Sequence, residues 1–442
     1  MQRLIIITCI LILGFVSPIL CRFINDDPTK MGHFNVIDYG AHGDGTNDDS
    51  NAILSAWKDV CGAEEPATLV IPRRKIFLVT VLKINGPCKT PSVSIKLAGK
   101  IVPPSKDGWV SDRSSWIVIS DVNNLTIDGR GGLIDGKGST WWDTCNKNCS
   151  RPTALRLRGC NNLTVNFLRM SNSPGAHISV NGCNGAIFSH MNIKAPPHSP
   201  NTDGFDIAGS QNILIQNSTI GTGDDCIAIN GGSSNINATR LACGPGHGIS
   251  IGSLGRNYSR EIVEDVYVRN CSFTRTTNGA RIKTWPGGSG YARRIVFDQI
   301  ILREVENAII IDQYYGFKTP IHTDEAVMVS EVTYRGFNGT SVGDDAINLK
   351  CSTLGCFNIT LDDIHIISSQ ANKPTHAFCE NVHGTFEDTL PKVSCISQSP
   401  SSFPSPSLSP FLSSSPLSLP FPFLSSSLSP SPSLLPSPYE GA

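Results

Sequence analysis

Short apolar runs of three residues recur along most of this chain, bounded by turn-forming residues. Many runs follow Asn or Gly, and their starts lie roughly 20 to 35 residues apart, as in solenoids of uneven coils. Few stretches show the extended 3.6-residue period of an amphipathic helix. The pattern therefore predicts an all-β fold, a single-domain right-handed parallel β-helix, rather than a β-sandwich. The runs are Leu125–Ile127, Leu163–Val165, Ile213–Ile215, Ile227–Ile229, Ile249–Ile251, Val266–Val268, Ile309–Ile311 and Ile359–Leu361.

Four polar clusters interrupt the apolar pattern in the middle of the chain. Asp203 precedes Asp224 by 21 positions, and Asp224 precedes His247 by 23 positions. That interval is about one coil, and residues one coil apart lie side by side at about 4.8 Å. The clusters are therefore expected to form one compact site. They are Asn201–Asp203, Gly223–Asp225, Gly246–Gly248 and Arg281–Lys283.

The residues before the repeats predict a cap for the solenoid. Residues 34–37 are strand-like, and a polar, glycine-containing loop is expected over 40–49. Residues 50–60 are typical of a short amphipathic helix, with Ile53, Leu54 and Trp57 on one side. A solenoid needs such a cap to cover its open end.

Composition limits the classes of partner. The 442 residues carry a formal net charge of −1, with 39% hydrophobic and 17% charged residues. A solenoid can use this length in one domain. Because no basic face dominates, nucleic acid is not an expected partner.

Residues 1–22 resemble a secretory signal peptide. Arg3 precedes an apolar run over 4–16, and cleavage is expected between residues 17 and 24. The alternative is a retained anchor helix, but the run of about 13 residues is short for a membrane span. No later segment has the apolar length of a span, so no membrane association is predicted beyond the signal.

The cysteine content agrees with export. Of 15 cysteines, Cys9 and Cys21 lie in or beside the signal, and the odd remainder implies at least one free or mispaired thiol. For Cys145 and Cys149, a metal site competes with a disulfide, which is the usual state in secreted proteins. The short-range disulfide candidates are Cys61 with Cys88, Cys226 with Cys243, Cys351 with Cys356, and Cys379 with Cys395.

Nine Asn-x-Ser/Thr sequons are glycosylation candidates, although Asn also stacks at solenoid turns, where a buried sequon would stay unmodified. They are Asn124, Asn148, Asn162, Asn217, Asn237, Asn257, Asn270, Asn338 and Asn358.

The chain changes character near Ser397. Residues 23–396 are predicted to form the β-helix domain, whereas residues 397–442 are almost entirely Ser, Pro, Leu and Phe. Such a composition predicts an extended or disordered tail. The tail is either an O-glycosylated segment associated with the cell wall or a dispensable extension.

The clustered carboxylates predict acid–base chemistry. Two or three carboxylates facing a glycosidic bond are the usual apparatus for its hydrolysis, and crowding raises the pKa of at least one of them. Adjacent Asp224 and Asp225 would point to opposite faces of a regular strand, so a bend is expected where Gly221 and Gly223 permit it. His247 between two glycines is sterically open and could hydrogen-bond a carboxylate.

Two cations on one strand face indicate an anionic ligand. Arg281 and Lys283 are two positions apart, so they share a face, and Arg can hold a carboxylate bidentately. A neutral sugar would not need both cations, whereas an acidic sugar would.

Each of these polar clusters also has a purely structural explanation. The adjacent aspartates could form a solvated turn, His247 could be a loop residue, and Arg281 and Lys283 could lie on a solvated strand face. Calcium binding by the aspartates is a further alternative. Asp344-Asp345 also follows a glycine and is predicted to be a surface turn. The ordered set on repeating coils is far less expected by chance than any single member.

The chain closely resembles the plant-type polygalacturonases of glycoside hydrolase family 28 over residues 34–396. The four blocks that carry the resemblance, in order, are Ser199–Gly204 (SPNTDG), Gly221–Cys226 (GTGDDC), Cys243–Gly255 (CGPGHGISIGSLG) and Ala280–Trp285 (ARIKTW).

The resemblance implies a right-handed parallel β-helix that hydrolyses α-1,4-linked galacturonan (pectin) with inversion and without a cofactor or metal. By position, Asp224 would be the general acid, Asp203 and Asp225 would activate water, and His247 would support the acid or contact the substrate. The residues expected to bind substrate are Arg281, Lys283, Tyr315 and Asn201.

Other functions compete with this interpretation. A pectate lyase would use calcium and β-elimination, a rhamnogalacturonan hydrolase would act on a related polymer, and a non-catalytic protein would only bind the wall. The resemblance further implies a secreted, monomeric protein of the cell wall, with pectin and inhibitor proteins of the wall as partners. Endo or exo attack depends on loops at the cleft ends and stays open.

Overall fold

The computed structural model describes residues 32–109, 112–142, 150–317 and 323–395, and the backbone of 397–398. The predicted signal peptide, the Cys145 and Cys149 pair and nearly all of the predicted tail lie outside the described residues. The predicted domain boundaries therefore stay predictions.

The described residues contain 31 strands and two short α-helices. The helices are α1 (Ser50–Gly62) and α2 (Ser139–Trp142). None of the described helices has the length and apolar character that a bilayer crossing requires.

The strands, in chain order, are β1 His33–Asn35, β2 Asp44–Asp48, β3 Ala67–Ile71, β4 Ile76–Leu78, β5 Leu82–Asn85, β6 Val93–Leu97, β7 Lys100–Val102, β8 Ser115–Ser120, β9 Leu125–Asp128, β10 Leu133–Asp135, β11 Thr153–Arg158, β12 Asn161–Asn166, β13 Arg169–Ser171, β14 Ile178–Asn181, β15 Asn184–Ser189, β16 Asn192–Lys194, β17 Phe205–Ala208, β18 Gln211–Gly221, β19 Ile227–Ile229, β20 Ser233–Cys243, β21 Ile249–Leu254, β22 Arg260–Thr274, β23 Asn278–Thr284, β24 Ser289–Val305, β25 Asn307–Asp312, β26 Met328–Ser341, β27 Asp345–Lys350, β28 Cys356–Ser368, β29 His376–Glu380, β30 Val382–Leu390 and β31 Ser397–Gln398.

The strands stack coil upon coil, and their pairings are parallel. A smaller sheet of 11 strands takes one strand from each coil in chain order, from β5 to β29. The remaining 20 strands form a larger sheet around the other sides. From β18 onward, one long strand in each coil covers both of those sides. In β18, the first part pairs with β15 and the end pairs with β16, and Asn217 between the two parts has a φ of 50°. The predicted parallel β-helix is confirmed.

Rows of aliphatic side chains fill the interior. Ile229, Ile251, Ile282, Ile311 and Leu349 occupy matching positions on successive strands of the smaller sheet, and each is 0% exposed. Burying one such side chain stabilises the fold by about 1.5–3 kcal/mol. Stacking thus supplies the core that a single coil lacks.

Asparagines stack outside the core, as the sequence predicted. Asn162 donates its amide N–H to Asn124 at 3.1 Å, Asn212 donates to Asn184 at 2.6 Å, and Asn235 donates to Asn212 at 2.5 Å. Four of these residues have φ between 53° and 57°, a region that Asn tolerates better than most residues do. The sequon amides of Asn124 and Asn162 are therefore engaged in a ladder.

The predicted capping helix is confirmed as α1, which buries Ile53, Ala56, Trp57 and Val60 against the first coils. Asp49 precedes the helix and accepts the backbone N–H of His42 at 2.6 Å.

Two expectations for this region were wrong in part. The strand ends at Asn35, because the side chain of Asn35 accepts the N–H of Ile37 and starts a 3-10 helix, Val36–Tyr39. The expected loop contains strand β2, whose backbone pairs irregularly with β4 although its side chains are mostly exposed. Backbone pairing at a sheet edge leaves little trace in side-chain pattern.

The four short-range disulfide candidates are confirmed, and Cys160, Cys183 and Cys271 are buried free thiols. The turn predicted at Asp344-Asp345 is also present. Asp344 lies in a bend with an exposed ion pair to Lys373, and Asp345 begins β27.

Candidate active site

Successive coils bring the predicted carboxylates and the imidazole to one turn of the solenoid. Asp203 lies just before β17, Asp224 and Asp225 lie just before β19, and His247 lies just before β21. These three strands pair in matching register, so the residues that precede them are neighbours. The predicted convergence of the polar clusters is confirmed.

Strand β23 supplies the two cations from the next coil. Arg281 and Lys283 point out of the solenoid, whereas Ile282 between them is 0% exposed and packs in the core. The alternation of a strand therefore places both cations on the face that carries the carboxylates, as the two-residue spacing predicted.

The chain bends at Asp224 and turns both adjacent carboxylates toward the cleft, as expected. The reason for glycine differs from the expectation, since neither Gly221 nor Gly223 has a positive φ. A Cβ on Gly223 would lie 2.1 Å from the carbonyl oxygen of Ser199. Close approach of the preceding coil, and not a left-handed conformation, requires glycine here.

Asp225 is fully buried and holds both cations. Its Oδ1 accepts from Nη2 of Arg281 at 2.6 Å and from the Ser250 hydroxyl at 2.9 Å, and its Oδ2 accepts from Nζ of Lys283 at 2.8 Å. A carboxylate at 0% exposure needs such partners, because an unpaired buried charge costs several kcal/mol. The cations therefore stabilise Asp225 in the structure as it stands.

Asp224 is the more accessible member of the pair. Its Oδ1 lies 2.8 Å from Nδ1 of His247, and its Oδ2 accepts an amide N–H of Asn201 at 3.3 Å. Burial raises the pKa of Asp224, but the hydrogen bond and charge of His247, and then the charge of Lys283, lower it below its usual value overall. In the unliganded site, Asp224 therefore favours its ionised form.

Asp203 has the opposite tendency. Burial, followed by the negative charges of Asp206, Asp224 and Asp225, raises its pKa well above the usual value. Burial, followed by the charges of Asp225 and Asp224, raises the pKa of Asp206 to about 6. Within the cluster, a proton is therefore favoured on Asp203 over Asp224.

The sequence interpretation missed Asp206 as part of this cluster. Asp206 lies on β17 between Phe205 and Ile207, both of which are 0% exposed. Because neighbours on a strand alternate, Asp206 must point outward beside Asp203. The alternation was readable in the sequence once this segment was assigned as a strand.

Tyr315 lies at the edge of the same site, in the turn after β25. Nζ of Lys283 lies 5.3 Å from the centre of the Tyr315 ring, a cation–π distance, and the ring packs edge-on against Trp285. An aromatic ring in a polar cleft offers a flat apolar surface to a sugar.

The predicted residues surround a cleft of about 400 Å³. His247 and Arg281 are not among the residues that line this cleft, but they contact Asp224 and Asp225, which do. Those of the predicted residues that line the cleft directly are Asn201, Asp203, Asp224, Asp225, Lys283 and Tyr315.

A disulfide joins the two coils that carry the central residues. Cys226 directly follows Asp225, and it is bonded to Cys243, four residues before His247. The bridge closes a loop of 17 residues. It thus restrains both the aspartate bend and the histidine turn.

The carboxylates and the histidine also have the composition of a metal site. Asp224, Asp225 and His247 each place a possible ligand atom within 4.8 Å of the others. However, both oxygens of Asp225 are bonded to Arg281 and Lys283, and two adjacent cations disfavour a divalent ion. The donor set therefore favours proton transfer, and the absence of a cofactor stays a prediction.

Grouped carboxylates in an open cleft of a parallel β-helix match the apparatus of a glycoside hydrolase. Residues 61–395 match the family described as Glycosyl hydrolases family 28, and the chain belongs to this family.

Named relatives agree with this assignment. The chain is 44% identical over 359 residues to a polygalacturonase from Persea americana, covering 79% of this chain and 76% of the relative. It is 41% identical over 366 residues to Polygalacturonase-2 of Solanum lycopersicum, covering 81% and 79%. Among solved structures, endo-xylogalacturonan hydrolase from Aspergillus tubingensis superposes with a TM-score of 0.72 at 27% identity, covering 79% of this chain and 96% of that one.

The ion pairs of Asp225 generate a stability prediction. Lys283→Met should lower the free energy of unfolding by about 3 kcal/mol, because it removes one of two cations from a buried carboxylate. Asp225→Asn in the same chain should recover at least about 1 kcal/mol of the loss, since a neutral amide does not need the cation. Urea unfolding of the single and double variants measures this coupling.

The matched control is Lys194→Met, because Lys194 is exposed on β16. That variant should stay within about 0.5 kcal/mol of the parent. Strictly additive effects of Lys283→Met and Asp225→Asn would contradict the importance of the pair.

Proposed function

We propose that this chain is a polygalacturonase that hydrolyses the α-1,4-galacturonosidic bonds of pectin by general acid–base catalysis. The observation that carries the proposal is the stacking of Asp203, Asp224 and Asp225 at one turn, with the cations of β23 beside them. Three carboxylates supply the proton transfers, and the cations favour an acidic sugar. The named relatives support the same substrate.

In the proposed mechanism, Asp224 protonates the leaving oxygen, while Asp203 and Asp225 activate the attacking water. Asp224 is suited to this role because it is more accessible than Asp225, and His247 and Asn201 orient it through hydrogen bonds. The roles follow the family resemblance residue by residue, and inversion at the anomeric carbon is proposed on the same basis.

The pKa directions of Asp203 and Asp224 favour a proton shift between these groups when substrate binds. In the unliganded site the proton favours Asp203 and not Asp224. A galacturonate anion beside Asp224 raises the pKa of Asp224, because like charges oppose ionisation. We propose that the proton of the cluster then passes to Asp224, which leaves Asp203 ionised and able to accept a proton from water.

Arg281 and Lys283 retain donors for the substrate although both hold Asp225. The guanidinium of Arg281 uses Nε for Ser250 and Nη2 for Asp225. An arginine has five N–H donors and a lysine has three, so both have donors left for a galacturonate carboxylate. Tyr315 would contact the same sugar unit.

Export to the cell wall belongs to the same proposal. It is supported by the predicted signal peptide and by four disulfides among the described residues, since disulfides persist in oxidising compartments. Monomeric state, glycosylation, and recognition by inhibitor proteins of the wall stay predictions.

The test of the function is release of new reducing ends from de-esterified polygalacturonate in the presence of a metal chelator. Hydrolysis should release them without ultraviolet absorbance from unsaturated products, and product sizes would decide between endo and exo attack. An unsaturated chromophore, or loss of activity in chelator, would favour a lyase and contradict the proposal.

Asp224→Asn should abolish nearly all turnover, with a fall in kcat of about 100-fold to 10,000-fold, because an amide cannot donate the acid's proton. The comparison variant is Asp344→Asn, at an exposed bend, which should keep parental kcat. Normal turnover by folded Asp224→Asn would refute its role as the acid.

The activity should have an acidic optimum, because the cluster must retain a proton. This proton is lost as the pH rises through the raised pKa of Asp203, to which the charge of Asp206 contributes. Asp206→Asn removes that charge and lowers the pKa of Asp203, so the alkaline limb of kcat/KM should move to lower pH. A limb that stays in place or moves upward, or a parental rate that still rises above pH 8, would contradict this assignment.

A further inference from the structure

Arg151 lines the cleft on the side opposite β23. It lies two residues before β11, which is three strands before β19 in the smaller sheet, on the N-terminal side of the aspartates. Its Nη2 donates to the side-chain oxygen of Asn201 at 2.6 Å, and the amide of Asn201 donates to Asp224. Arg151 thus reaches the candidate acid through one amide.

The described residues satisfy only part of the hydrogen-bonding capacity of the Arg151 guanidinium. Its Nε is buried and has no hydrogen-bond partner in the described part of the chain. It also forms no ion pair within 4.0 Å there, whereas Arg281 and Lys283 are both paired with Asp225. Burial of this cation lowers its pKa, an effect that the charge of Asp224 opposes. A buried donor left unpaired is destabilising, so a ligand group that accepted hydrogen bonds from this guanidinium would offset that cost.

The cleft surface beside Arg151 leaves room for a ligand. Gly175 and Ala176 line the cleft between Arg151 and the turn of Asp203. A Cβ on Gly175 would approach the carbonyl oxygen of Arg151 to 2.9 Å, so close packing favours glycine at this position. Small residues here leave space in front of the guanidinium.

We propose that Arg151 binds the carboxylate of a galacturonate unit on the N-terminal side of the bond to be cleaved. This inference rests on the proposed function. Arg151 is then a specificity-determining residue, because a planar guanidinium holds an ionised carboxylate with charge-assisted hydrogen bonds that a methyl ester cannot match. The enzyme therefore requires an unesterified unit at this position as well as beside β23.

The test compares kcat/KM on de-esterified polygalacturonate with kcat/KM on highly methyl-esterified pectin of matched length. The parental chain should prefer the de-esterified polymer. In Arg151→Gln this preference should fall by about tenfold or more, mainly through a higher KM on the de-esterified polymer, because the lost contact is a binding contact. Arg151→Lys, which keeps the charge without the planar guanidinium, should give an intermediate preference.

Two comparisons separate binding from structure. Arg169→Gln, at an exposed position on β13 in the larger sheet, should leave the preference unchanged. If Arg151 only positioned Asp224 through Asn201, its replacement would lower kcat equally on both polymers and leave the preference intact, which would overturn the inference. If Arg151→Gln fails to fold, the substrate preference of Arg151→Lys is the deciding measurement. A fully parental preference in Arg151→Lys would contradict the role of the planar guanidinium.

The outcome also separates the two proposals. A parental chain that releases reducing ends, together with an Arg151→Gln variant of unchanged preference, refutes only the role of Arg151. A folded parental chain that releases none from either polymer refutes the proposed function, and the role of Arg151 falls with it.

Discussion

The parallel register between neighbouring coils is the constraint on which the rest of this structure depends. Backbone hydrogen bonds hold successive strands about 4.8 Å apart, so residues at matching positions of different coils must be neighbours. Inside the solenoid this spacing stacks aliphatic rows such as Ile229 with Ile251. At the turns it forces Asp203 against Asp224 and Asp225, although Asp203 lies one coil before them. The same geometry therefore creates both the core and the repulsion between the clustered carboxylates.

Two different arrangements reduce the repulsion between these carboxylates. Asp225 is buried, and its charge is balanced by the cations of β23. Both cations lie on one face of the strand, because the buried Ile282 between them points to the other face. Asp203 receives less compensation, and its raised pKa keeps a proton in the cluster. One carboxylate is thus paired with two cations, and the pKa of another is raised by burial and like charge. That separation is what acid–base catalysis by carboxylates requires.

Much of this arrangement could be predicted from the sequence because it depends on spacing. The intervals between Asp203, Asp224 and His247 match the coil length, and cysteines close in sequence pair as expected. The engagement of both β23 cations by Asp225 could not be predicted, because it depends on which side chains face each other across three coils. Gly223 was assigned to the correct bend for a different reason, since the approach of Ser199 is a tertiary contact. Arg151 had no local motif at all, and only the fold places it in the cleft.

The distribution of free cations bears on how such a cleft selects its substrate. Because Arg281 and Lys283 are committed to Asp225, part of their charge is already balanced before any ligand arrives. Their attraction for a second carboxylate is therefore weaker than two unpaired cations would give. A cation without an acidic partner within 4.0 Å among the described residues, such as Arg151, has less of its charge balanced by the protein. Discrimination between acid and ester units should then depend more on the N-terminal side of the cleft than on the strand that carries the family's basic motif.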